Sequence, residues 1–417
     1  MSSVAASGTT PPDERQDTRR SRLAGLSRLR FVGVGLVGQV LTLAAMVIPI
    51  LAREGRMVFV LVFATAVAGL VVDAAMLAYP YLYPVVRGPR MARVATAVSL
   101  VSLAVVSSAV ALGTPLEDRL GMPAGTFAAA GLLTATWGSY SIVVTRLVRA
   151  GDTAGLGLSR VFYGVAVLLT VLVVVLVDVG PLGLTLATAL AYVLAGAALA
   201  LRRSHWTPRP APLSAASRRR LRRAYLRRTV RPAAARLANG WTTLLPGLAL
   251  PGLGAAAEPW SVVTRICGGF ATVMMAVLSP PLDARLSRAV RERDRAGFTA
   301  ARRAAVLLGL VMAALGVFLS LELAAHATSG EVDEWLLPVA VATVLFWGSL
   351  LATTSLNRLP NFLRRDSARL VWDVVRAALL SVAFLATEGT DRLIAMGVVL
   401  AVSAVALVPL TRWPTRA

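Results

Sequence analysis

The sequence predicts an all-α polytopic membrane protein of about twelve transmembrane helices in two lobes of six, and three observations carry that prediction. The composition is apolar, with 57% hydrophobic residues and 15% charged ones in 417 residues, well below the quarter charged that a soluble domain carries. Apolar windows of about 20 residues, the length needed to cross about 30 Å of hydrocarbon, recur along the whole chain. Arginine is concentrated in alternate connections between those windows, as expected when positive charge is retained on the cytoplasmic side.

Residues 1–30 are polar, rich in Ser, Thr, Asp and Arg, and lack the apolar core of a cleaved signal peptide; they are expected to form a disordered cytoplasmic tail. The windows then follow at Phe31–Leu51, Met57–Tyr79, Ala92–Leu112, Ala124–Val144, Val161–Val179 and Leu182–Leu201, which make a first lobe over 31–201. A basic connection covers 202–231. The second lobe, 232–411, holds Ala233–Leu253, Trp260–Leu282, Ala304–Leu323, Trp335–Leu356, Leu370–Thr387 and Leu393–Leu410, and residues 412–417 form a second short cytoplasmic tail. Each window must be helical, because a backbone in lipid has to satisfy its own N–H and C=O groups.

The charge pattern tests the span count. With the first helix entering from the cytoplasm, even-numbered connections should hold the arginines, and they do: Arg87, Arg90 and Arg93; Arg146 and Arg149; the run from Arg202 to Arg231; Arg285 to Arg295; Arg358, Arg364 and Arg365. The opposite side has Arg53, Arg56, Arg119 and Arg392 beside Glu117, Asp118, Glu331, Asp333, Glu334, Glu388 and Asp391. The chain is therefore expected in the cell membrane, multi-pass, with both termini cytoplasmic. The same distribution accounts for the +22 net charge without a nucleic-acid partner, although Arg218–Arg231 could also rest on anionic membrane lipids as a basic interfacial helix.

Short similarities recur across the central connection. Trp137-Gly138-Ser139 matches Trp347-Gly348-Ser349, Tyr79-Pro80 answers Ser279-Pro280, and Gln39 with Pro49 resembles Asn239 with Pro246. The order is constant, as a duplication of a six-span unit would leave it; chance matches among common membrane residues are the alternative.

Ionisable groups at membrane depth are costly and face a partner or a polar cavity. Asp73 in the second window either binds a coupling proton or cation or makes a structural hydrogen bond. Arg265 in the eighth is either a contact for a phosphate-bearing substrate, to which guanidinium donates in pairs, or an anchor at the outer interface. Arg160 and Arg236, at the inner ends of the fifth and seventh, can snorkel. Arg369, Asp373 and Arg376 have the helical spacing of an ion-pair ladder. Gln39 and Asn239 either line a central cleft or bond between helices. Pro49, Pro80, Pro246, Pro251, Gly240, Gly268 and Gly269 allow bending, and Asp283–Arg303 reads as an amphipathic helix on the inner surface.

Several chemistries are unsupported. There is no phosphate-binding P-loop and no nucleophile elbow, so no enzyme activity is expected. Histidines His205 and His326 lie in opposite-side connections, which argues against a shared metal site, and the one cysteine, Cys267, is expected to be inert packing. No cofactor is implied.

The stretch Leu253-Gly254-Ala255-Ala256-Ala257-Glu258-Pro259-Trp260-Ser261-Val262-Val263-Thr264-Arg265, leading to Leu278-Ser279-Pro280-Pro281-Leu282-Asp283-Ala284-Arg285-Leu286, resembles the seventh-to-eighth-helix region of the polysaccharide-biosynthesis flippases of the multidrug/oligosaccharidyl-lipid/polysaccharide (MOP) exporter superfamily. The first two spans and the region around Trp137–Phe162 look similar, whereas the usual aromatic after the outer glycine is displaced to Trp260. The resemblance implies two six-helix lobes around a cleft that opens alternately to either side. It implies flipping of a polyprenyl-diphosphate-linked saccharide for cell-surface polysaccharide synthesis, with other polysaccharide-assembly membrane proteins as partners. Arg265 is the first candidate to meet the diphosphate, followed by Arg236 and Asp73, with Gln39 and Asn239 as further cleft residues. Two alternatives stay open. One is a major-facilitator-type secondary transporter, whose habitual acidic-glycine-arginine motif is replaced here by Arg87-Gly88-Pro89-Arg90; the other is a non-transporting scaffold of an envelope-assembly complex.

Overall fold

The computed structural model describes residues 33–76, 79, 89–150, 152–177, 179–201, 214–327, 333–357, 359–363 and 365–413. The tail expected at 1–30, the first part of the central connection and the last four residues lie outside the described residues. Within them every regular element is helical. We number the spanning helices α1 (Gly33–Leu51), α2 (Gly55–Ala75), α3 (Pro89–Ala111), α4 (Thr126–Ala150), α5 (Thr153–Val177) and α6 (Gly183–Ala200) in the first lobe. In the second lobe, α7 is Ala215–Leu248, and α8 is Ala257–Val273 prolonged through a π turn at Met274–Leu278 into Ser279–Arg291. Helix α9 is Arg295–Ala327, and α10 is Asp333–Thr343 continued by a π turn at Val344–Gly348 into Ser349–Thr354. Helices α11 (Asp366–Ala386) and α12 (Gly389–Leu410) complete the lobe.

Nine of these helices are long and apolar enough to cross a membrane by length and composition. The other three, α7, α8 and α11, are the charge-bearing ones: α7 begins in the arginine run, α8 holds Glu258 and Arg265, and α11 holds Arg369, Asp373 and Arg376. Each of the twelve overlaps the window expected for it, and the chain is a multi-pass membrane protein.

One connection gains detail and another differs from expectation. The basic connection expected to end at residue 231 is helical from Ala215 and runs without interruption into α7. Ser214 caps this helix, its Oγ accepting from the Ser217 N–H at 3.2 Å. Arginine is a good helix former, so a basic run needs no break before the apolar part, and Pro232 lies inside the rod. The amphipathic helix expected at Asp283–Arg303 is two helix ends. It is the tail of α8 and the head of α9, separated by a turn in which Arg293 takes a left-handed φ of 55° and Asp294 Oδ1 accepts from the Gly297 N–H at 2.8 Å. An aspartate in this position satisfies one of the unpaired N–H groups of a new helix, and the chain restarts there.

Within the first lobe α5 packs on α6, α3 on α4, and α4 on both α2 and α6; within the second α8 packs on α9, α10 and α11 on α12, and α7 on α11. The lobes meet where α2 lies against α7 and α8, and where α3 meets α7. One apolar core, with Leu61, Val62, Leu245, Trp260 and Phe346, is continuous through both.

The duplication suspected from short matches has a structural counterpart. In the first lobe the Trp137 ring of α4 lies against Gly69 of α2; in the second the Trp347 ring of α10 lies against Gly268 of α8. The same pair of helices, second and fourth of each lobe, thus makes the same aromatic-on-glycine contact.

Candidate functional site

The seam between the lobes is built from small residues. Along α2 and α7, Gly247 faces Ala66 and Val62, Gly69 faces Leu244, and Gly240 faces the Asp73 carboxylate. These positions, 62, 66, 69 and 73 against 247, 244 and 240, form antiparallel rows at helical spacing, and glycine lets the backbones approach because no Cβ intervenes. The mirror contact is made by Gly269 of α8, which faces Leu43 and Met46 of α1. The two contacts pair the second helix of one lobe with the first helix of the other, in both directions.

Arg265 stands in this seam, eight residues or about 12 Å along α8 from its first residue at 1.5 Å rise per residue. It is 9% exposed. Its Nε donates to the Met46 carbonyl at 3.2 Å and its Nη2 to the Ala45 carbonyl at 3.3 Å, both on α1. The Tyr163 phenol of α5 lies within electrostatic range of the same guanidinium. Among the described residues no carboxylate forms a salt bridge with Arg265; the recorded pairs belong to α11. A second-lobe cation therefore points across the interface at the first lobe, held by neutral acceptors.

Opposite it the first lobe presents aromatic rings. Trp137 and Tyr192 stack with planes 2° apart and centroids 6.1 Å apart, Tyr192 stacks on Tyr163 at 4.6 Å, and Tyr140 leans on both at 5.3 and 5.9 Å. Tyr140 Oη donates to the Ser159 carbonyl at 2.9 Å, which fixes that ring to α5. Arg160, one turn before Tyr163, lies within electrostatic range of the three phenols. The group joins α4, α5 and α6, and it was not singled out from sequence. The available signal was that three of the chain's 7 tyrosines sit mid-helix and not in the interfacial belts where tyrosine collects.

A second polar group belongs to the second lobe. Arg369 Nε donates to Asp373 Oδ2 at 2.7 Å and Arg376 Nη2 to Asp373 Oδ1 at 2.9 Å, the ladder expected from their spacing. Arg376 Nη2 also donates to Asn239 Oδ1 of α7 at 3.0 Å. The guanidinium carbons of Arg369 and Arg376 lie 4.8 and 4.1 Å from the Trp372 ring centre, and Trp372 Nε1 donates to the Ser403 carbonyl of α12 at 3.0 Å. Charge and ring faces together bind α7, α11 and α12.

The five residues chosen from sequence fall as follows. Arg265 lies in the seam between the lobes, and Gln39 is buried, 4% exposed, on α1 beside Gly38, which packs on the Arg160 backbone within the first lobe. Asp73 and Asn239 are not brought together: Asp73 faces Gly240 of α7 across the seam, whereas the Asn239 amide oxygen accepts from Arg376 of α11. The Arg236 side chain lies outside the described residues, although its place on α7 is one turn from Gly240. Asp73 and Arg265 sit toward opposite ends of the bundle, as their places on α2 and α8 require.

Fold and site together define a two-lobed, all-helical membrane protein with an unpaired-by-acid cation between its halves. Solved structures of MATE transporters share this architecture. A single-residue mutant of the Vibrio cholerae MATE transporter VcmN superposes with a TM-score of 0.56 at 15% identity, covering 94% of this chain and 97% of that one. The same transporter in its bent form gives 0.52 at 16% identity, with the same coverage. An inward-facing multidrug resistance MATE family transporter of the MOP superfamily gives 0.50 at 13% identity over 94% of this chain and 99% of that one. No protein-family model matches the chain, and no curated protein matches it in sequence. The fold is that of the MATE transporters.

Proposed function

We propose that this protein is a membrane transporter that works by alternating access of its two lobes and moves a polyprenyl-diphosphate-linked saccharide from the inner to the outer leaflet, supplying cell-surface polysaccharide synthesis. The observation that carries the reading is Arg265: a nearly buried guanidinium at the lobe interface, bound among the described residues to carbonyls alone, has donors to offer an anionic group. Arginine keeps its charge and presents paired N–H groups that match phosphate oxygens. The rings of Tyr163, Tyr192 and Trp137 on the facing lobe suit the apolar face of a sugar ring, and Arg160 adds positive potential. The lipid tail would stay in the bilayer beside the seam.

In this reading the arginine-rich ends of the helices and both termini face the cytoplasm. Asp73 and Asn239, with Arg236 one turn away on α7, form the inner part of the path, and Gln39 lies between them and Arg265. Membrane lipids and other polysaccharide-assembly proteins are the expected partners.

The test is reconstitution in vesicles with a fluorescent lipid-linked saccharide whose outer-leaflet fraction is read by an impermeant quencher. Native protein is expected to accelerate its movement, and Arg265→Ala to lose most of that acceleration. Movement at the rate of protein-free vesicles refutes transport of this substrate class; equal movement with Arg265→Ala refutes the role of Arg265.

A further inference from the structure

The two carbonyls that hold Arg265 are not equivalent. Inside an α-helix each carbonyl accepts from the N–H four residues on. For Met46 that donor is Ile50, whereas for Ala45 it is Pro49, which has no N–H. The Ala45 carbonyl is therefore left without its usual helical donor, at a place where the residue is 1% exposed and water is scarce. A buried acceptor left alone is costly. Arg265 Nη2 arrives from the other lobe and donates to that oxygen at 3.3 Å, while Nε takes Met46. The proline in α1 thus creates an acceptor, and the arginine in α8 fills it.

We propose that Pro49 and Arg265 form a latch between the lobes that an anionic phosphate group releases, with Pro49 the positioning residue that fixes Arg265 on α1. Both hydrogen bonds are longer than the 2.7–2.9 Å typical of charge-assisted contacts, and both acceptors are neutral. A phosphate oxygen accepts from guanidinium roughly twice as strongly, so its arrival draws Arg265 off the Ala45 and Met46 carbonyls. The two helix ends beyond this point are short: Leu51 closes α1 six residues after Ala45, and Ala257 opens α8 eight residues before Arg265. Once the bonds are lost, the apolar contact that remains between α1 and α8 at this level is Gly269 against Leu43 and Met46, on the inner side of Arg265, and non-directional contact lets the outer ends slide or part. Binding of the anionic group and opening of the interface are then one event. The inference deepens the transport reading by giving the ligand a mechanical task at the site it would occupy.

The experiment places spin labels at Ala52→Cys and Ala255→Cys, both exposed and on opposite lobes, in a Cys267→Ala background in lipid nanodiscs, and reads their distance distribution with inorganic pyrophosphate as the probe. In the native sequence pyrophosphate is expected to shift the distribution to longer distances. In Pro49→Ala the restored N–H satisfies Ala45 without Arg265, and the open-to-closed ratio rises by about tenfold before any pyrophosphate is added, the size of losing one hydrogen bond to a charged group. Arg265→Gln is open from the start and indifferent to pyrophosphate; if it does not fold, Arg265→Lys, which keeps charge but not the paired donors, is expected to need more pyrophosphate than the native chain. A native distribution that pyrophosphate does not move, or a Pro49→Ala distribution identical to native, overturns the latch. A chain that answers to pyrophosphate yet carries no lipid-linked saccharide keeps the latch and refutes the transport reading, so the two fail separately.

Discussion

Helices α1 and α5 cross at two glycines, and that crossing gives a prediction with a worked magnitude. A Cβ at Gly38 would lie 2.4 Å from the Arg160 carbonyl carbon, 2.5 Å from its oxygen and 2.7 Å from the Val161 nitrogen, and a Cβ at Gly164 would lie 2.4 Å from the Gly38 oxygen. All four are backbone atoms that cannot swing aside. Ordinary contact begins at 3.4 Å, so Gly38→Ala forces the helices apart by about 1 Å, enough to forfeit a quarter to a half of the dispersion energy of each contact they share. Overpacking of this kind costs about 1–3 kcal/mol, and the rigid obstacle puts Gly38→Ala near 3, against a gain of about 1 from replacing a helical glycine. The net loss of about 2 kcal/mol should lower the unfolding midpoint in detergent by several degrees, read from intrinsic tryptophan fluorescence. Gly33→Ala, on the same helix with nothing within 4 Å, is the control and should be neutral or slightly stabilising. The double variant Gly38→Ala/Gly164→Ala should cost less than the sum, since both strain one crossing. A Gly38→Ala protein melting with or above the Gly33→Ala control refutes the close approach.

Further outcomes follow from the other contacts. Arg376→Met leaves Asn239 Oδ1 without its recorded donor and removes one partner of the nearly buried Asp373; it should destabilise by about 3–5 kcal/mol, whereas Arg369→Met, at the more exposed end of the ladder, should cost less, and equal melting points for the two would count against this ranking. Cys267, fully buried with Sγ 3.4 Å from Ser320 Oγ, should resist maleimide in the folded protein and react after denaturation; rapid labelling in the native state contradicts its placement. Tyr225, on the part of α7 beyond the span, is buried against α2 and α3 beside Ser99, and burial pushes its phenol up to about 12. A raised phenol stabilises the fold below its ordinary value of 10 and loses that contribution as pH climbs toward 12, so Tyr225→Phe should retain stability better than native between pH 10 and 12, measured by thermal melting across that window.

Helix number and placement were legible because each follows from local content: an apolar run of spanning length has one way to satisfy its backbone. The α11 ladder was legible for the same reason, since Arg369, Asp373 and Arg376 meet within one helix. What depended on distant pairing was not. Tyr140, Tyr163 and Tyr192 are unremarkable singly and become a group only when α4, α5 and α6 are brought together. The Ala45 carbonyl could not be seen to need Arg265, because the proline that strands it and the arginine that satisfies it are 216 residues apart. The Asp283–Arg303 segment was misread because its amphipathic periodicity persists across the turn at Arg293, whose backbone conformation leaves no mark in a hydrophobic pattern.

The salt bridges of α11 close within a single helix, and Asn239, which extends them, belongs to the same lobe. If one half of the molecule swings against the other as a rigid body, none of these charges changes neighbour. The electrostatic cost of such a swing then falls on the seam itself: the α11 ion pairs travel intact, and the contacts that must change include the glycine-lined apolar rows, the Asp73 carboxylate against Gly240 and the two bonds from Arg265.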